Sequence, residues 1–154
     1  MDTVHGLTIT ATLTKTIEQN DTKLYCKTQN FQRQIMTLTE LIDEYKQMAS
    51  ICHNVDYADK KSVKLNNKSV TRMYQIVDKI KTDFSDNGVS EFAKLIDIKQ
   101  DRVYLWAAIQ MLEKMQVNKD TEKKALVIIK EEAKDSLGHQ YWLKSYQDKK
   151  KYGT

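Results

Sequence analysis

The chain has 154 residues, 40% of them hydrophobic and 30% charged, with a net charge of +4. That length fits one domain with a core of its own. No apolar run is long enough to cross a bilayer, and the N-terminus lacks the basic-then-apolar order of a secretory signal. A cytoplasmic protein without a membrane partner is therefore expected. Proline is absent and there are four glycines, too few for a sheet with many tight turns. Cys26 and Cys52 could form one disulfide, but a cytosolic chain would keep both as thiols.

Residues 1–35 differ from the rest. Leu7, Ile9, Ala11 and Leu13 alternate with Thr8, Thr10, Thr12 and Thr14, a strand pattern. Glu18 to Asp21 read as a turn, and Lys23 to Thr28 could return as a second strand. The segment is expected to be an N-terminal extension, either a β-hairpin or a flexible tail, ahead of a helical domain over 36–150.

Thr37 and Glu40 have capping-box spacing. Leu38, Leu41, Ile42, Tyr45, Met48, Ala49 and Cys52 then recur at helical intervals, predicting a first helix over 38–52. His53 to Asn66 reads as a polar loop that could hold a short turn of helix. Asn67 or Ser69 is the expected cap of a second helix burying Val70, Met73, Tyr74, Ile76, Val77, Ile80 and Phe84, stopped by Asn87-Gly88 with a left-handed glycine. Ser90 opens a short helix through Phe92, Leu95 and Ile96.

Asp101 is the expected cap of the central helix. Val103, Trp106, Ala107, Ile109 and Leu112 are its expected buried face, with the two adjacent alanines letting a neighbouring helix come close. Asp120 is expected to cap the next helix, with Ala125, Leu126, Ile128, Ile129 and Ala133 inward and Gly138 as a kink or stop. The last helix carries Tyr141, Trp142, Leu143 and Tyr146, then runs into Lys149–Lys151. Trp106 and Trp142 fall on apolar faces and are expected in the core. The fold class is thus all-α: antiparallel helix hairpins stacked as a small array or bundle.

Reactive constellations are hard to find. His5, His53 and His139 are far apart and none has a zinc-type spacing. Cys52-His53 are adjacent, which points the two side chains apart on a helix. Paired Glu-x-x-His units and glycine-rich phosphate loops are missing. No catalytic residue, cofactor or metal is therefore assigned, and a non-enzyme is expected.

Binding residues are easier to name. Lys60, Lys61, Lys64, Lys68 and Arg72 make one basic stretch that could meet phosphates or an acidic protein surface. With three arginines in the whole chain and mixed charge elsewhere, a nucleic-acid reading takes second place. Asp56 and Tyr57 in the loop join the lysines as candidate partner contacts. So does Tyr104, which is expected to point away from the buried face of the central helix.

Leu41-Ile42-Asp43-Glu44-Tyr45, then Asn67 and Arg72, then Asp101-Arg102-Val103-Tyr104-Leu105-Trp106-Ala107-Ala108, then a closing helix with Trp142, resemble a small HEAT-like family of bacterial proteins of undefined function. Its most specific run is Arg-Val-x-Leu-Trp-Ala-Ala. The resemblance covers about residues 36–150 and leaves out the first 35. It implies a HEAT-like helical array. Because such proteins are often encoded beside polymorphic or contact-dependent toxins, it also implies an immunity protein. The implied partner is a cognate toxin domain, such as a nuclease, neutralised by occluding its active site. The alternative is a nucleic-acid-associated HEAT-like helical repeat.

Overall fold

In the computed structural model, residues 36–153 are described. The expected hairpin or tail over residues 1–35, and Cys26 with it, lies outside them. Five α-helices carry the described part: α1 (Leu38–His53), α2 (Lys60–Ala93), α3 (Val103–Lys114), α4 (Lys119–Glu132) and α5 (Leu137–Tyr152). Two short 3-10 turns, Lys94–Asp97 and Gln100–Arg102, join α2 to α3. No strand occurs among the described residues. The fold is an all-α bundle.

Helix α1 buries Leu41, Tyr45, Ala49 and Cys52, spaced four, four and three apart as one helical stripe requires. It runs antiparallel to α2: Cys52 lies beside the Asn66 carbonyl at 3.9 Å, and Glu44 beside Arg72. The same reversal relates α3 to α4, where Arg102 and Tyr104 at the start of one reach Glu132 at the end of the other. It also relates α4 to α5, where Glu122 meets Tyr146. Met73, Ile76, Val77 and Ile80 of α2 complete the core with Phe92, Leu95, Ile96 and Met111. The Tyr45 and Phe92 rings meet edge to face at 4.9 Å, a favoured aromatic geometry.

Helix α2 starts seven residues before the expected cap. Asp59 is the N-cap, its carboxylate accepting from the Lys61 N–H at 3.0 Å and the Ser62 N–H at 3.1 Å. These bonds satisfy donors that a helix start leaves unpaired. Residues 60–66, expected as loop, are therefore helical.

The break near Asn87-Gly88 also takes another form. The backbone leaves helical geometry at Ser85 (φ 47°), and Gly88 is buried within the helical run. A Cβ at Gly88 would stand 2.8 Å from the Ile80 carbonyl oxygen and 2.7 Å from the Phe84 Cβ. Glycine is there for close approach after the bend, not for a left-handed stop.

Helix α3 is entered through two consecutive left-handed residues, Asp101 (φ 51°) and Arg102 (φ 57°). Asp101 does not cap it; Arg102 holds the N-cap position without a side-chain bond. Helix α4 is capped by Asn118, which accepts from the Thr121 N–H at 2.8 Å, rather than by Asp120. Gly138 lies in the first turn of α5, not at a stop.

The inward face of α3 is Val103, Leu105, Ala107, Ala108, Gln110 and Met111. Ala107 is buried as expected, whereas Trp106, Ile109 and Leu112 are half-buried. The alanines admit the neighbouring helices so closely that an indole has no room among them, and Trp106 stays at the side. Trp142 is likewise half-buried, on a helix with no fully buried residue.

Candidate functional site: a basic face on the second helix

The loop between α1 and α2 is built around Asp56. Its carboxylate accepts from the Ala58 N–H at 2.9 Å, and its own N–H donates to Ser62 Oγ at 2.9 Å. This turn lifts Tyr57 outward, leaving it 79% exposed. Asp56 thus shapes the loop, and Tyr57 is the side chain it presents.

Beyond the turn, α2 from Lys60 to Val77 carries five cationic residues and no acidic one. Lys60, Lys64 and Lys68 recur every four residues, about 6 Å apart along the axis. With Arg72 they line one shallow groove whose other side chains include Val63, Asn67, Thr71 and Gln75. The structure therefore brings together four of the five basic residues named from sequence. Lys61 is exposed on the same helix but outside this groove. Nothing in the pattern of charges alone marked the neutral groove residues; the helical register does, once α2 is known to begin at Lys60.

Arg72 lines the same groove. Its Nε and Nη2 donate to the two Glu44 oxygens at 2.7 and 2.8 Å, a bidentate fork that fixes the guanidinium plane. That hydrogen bond, together with the Glu44 charge, raises the Arg72 pKa against a smaller opposing effect of burial. Arg72 is thus already engaged inside the fold, and the lysines carry the outward charge.

Tyr104 is not a free contact. Its hydroxyl donates to Glu132, and the Lys99 ammonium sits 4.4 Å from its ring centre. It ties α3 to α4. The carboxylates that organise α3–α5 had no distinguishing spacing in sequence. Glu113 accepts from Tyr74 at 2.6 Å and from the Trp142 indole N–H at 2.5 Å. Glu122 accepts from Tyr146 at 3.0 Å and from Lys150.

Among the described residues no group of His, Cys, Asp and Glu side chains is placed to hold a metal ion. Cys52 is a free, buried thiol, and burial pushes its pKa up to about 11, so it is protonated at neutral pH. No described helix is long and apolar enough to cross a membrane. No known protein family, characterised protein or solved structure matches the chain.

Proposed function

We propose that this chain is a non-catalytic protein-binding module, acting as an immunity protein that binds a cognate bacterial toxin in the cytoplasm and covers its active site. The observation that carries the reading is the groove on α2 lined by Lys60, Lys64, Lys68 and Arg72, which follows a loop that exposes the Tyr57 ring. A basic groove preceded by an exposed aromatic side chain suits an acidic protein surface. The charges speed encounter and exclude wrong partners, and the Tyr57 ring, once covered by the partner, supplies affinity. A nuclease whose carboxylates hold its metal would offer such a surface. The toxin assignment rests only on what the sequence resemblance of the 36–150 segment to a HEAT-like family of undefined function implies.

The test is a pull-down with the product of the adjacent gene, followed by growth rescue on co-expression. Binding and protection support the reading; failure of both ends it. The same lysine stripe could follow a phosphate backbone. Binding to generic duplex DNA that weakens steeply with added salt would replace the immunity reading with a nucleic-acid one.

A further inference from the structure

A second feature adjoins the loop that carries Tyr57, which is among its lining residues. The end of α1, the entry to α3 and the first turns of α5 border a cleft of about 400 Å³, within the range of small-molecule sites. Val55, Leu105, Trp106 and Ile109 give it an apolar wall. This is where the indole expected in the core is found.

Two polar groups of unusual circumstance line the same cleft. Arg102 is held there by the tandem left-handed pair, a conformation costing roughly 1–2 kcal/mol per non-glycine residue; such strain gathers at functional sites. Its guanidinium is braced from one side: Nη2 donates to Glu132, which also accepts the Tyr104 hydroxyl. That bond uses one nitrogen of a fork with five N–H groups. His139 is the second group. Its Nδ1 is buried without a hydrogen-bond partner among the described residues, a costly state for a polar atom in a folded chain. Burial, and then the Arg102 charge, hold its pKa below the usual histidine range against a smaller opposing effect of Glu132, so the ring is neutral at pH 7.

We infer that this cleft is a binding site for a small organic carboxylate with a flat or branched apolar body. The Arg102 fork takes the carboxylate, as planar bidentate recognition favours. The neutral His139 ring borders the bound molecule. The apolar body lies against Trp106 and Ile109.

The experiment titrates the full chain with sodium benzoate and, separately, with benzamide, its neutral isostere. The indole N–H resonances of Trp106 and Trp142 and the His139 ring are followed by NMR. Benzoate is expected to shift Trp106 and His139 saturably and to leave Trp142 in place. Benzamide is expected to bind at least about ten-fold more weakly, and Arg102→Gln to weaken benzoate by a similar factor. The wild-type comparison of the two probes stands even where Arg102→Gln disturbs folding. Absence of a saturable shift, equal binding of benzoate and benzamide, or a response at Trp142 instead of Trp106 would overturn the inference.

Discussion

The Tyr45 hydroxyl donates to Gln110 Oε1 at 3.0 Å across the middle of the bundle, joining residues 65 positions apart. Both side chains are fully buried, and Gln110 Nε2 has no hydrogen-bond partner among the described residues. An unmade bond in the interior costs about 1–3 kcal/mol. Tyr45→Phe should therefore destabilise by about that amount, because it leaves Gln110 wholly unpaired. The double change Tyr45→Phe with Gln110→Leu should recover most of the loss. Denaturant unfolding of the two variants checks this, and a double variant no better than the single one would count against it.

Gly88 sits where a Cβ meets the Ile80 carbonyl oxygen and the Phe84 Cβ below 3 Å. The carbonyl cannot rotate away as a flexible side chain would. Gly88→Ala should cost about 1–3 kcal/mol, the usual scale of overpacking, despite alanine's better helix propensity. A shift of the unfolding midpoint to lower denaturant is the expected result.

Trp106 borders a cleft instead of filling the core. Full burial would make Trp106→Ala cost ~3–5 kcal/mol. With the ring half-buried, a smaller loss of about 1–3 kcal/mol is expected, since part of its surface stays in water in the folded state. Equilibrium unfolding separates the two ranges.

Alkaline stability follows from Cys52. Burial raises the thiol pKa from 9.0 to about 11, so between those values the folded chain keeps a proton that the unfolded chain releases. The stabilisation is full below pH 9 and is lost as pH rises toward 11. Tyr45 and Tyr74, both raised chiefly by burial, extend the loss to higher pH. A melting temperature that falls from pH 9 upward, less steeply in Cys52→Ala, is the expected profile.

Much of the fold was legible because apolar spacing is a direct record of which helix face is buried: Leu41, Tyr45, Ala49 and Cys52 are all inside. Helix boundaries were less so. Asp59 looked like one polar residue among several in a loop, and only its bonds to Lys61 and Ser62 single it out as the cap. The tandem left-handed pair at Asp101 and Arg102 had no signal at all, since neither residue is glycine. Where a helix is apolar on most sides, as α3 is, periodicity cannot rank its faces. The alanines took the tight contact and Trp106 was left at the edge. The basic stripe was readable from charge alone, whereas the His139 cleft depends on four segments meeting in space: the end of α1, the loop after it, α3 and α5.

The account stands or falls on the outward lysines of α2. The most direct measurement is growth of cells co-expressing the product of the adjacent gene, the proposed toxin, with wild type or with the Lys60→Glu, Lys64→Glu, Lys68→Glu triple variant, folding being checked by circular dichroism. These lysines are exposed, so the variant should fold normally. Wild type should protect and the variant should fail, with toxin binding weakened at least about ten-fold. A folded triple variant that protects as well as wild type would contradict the account.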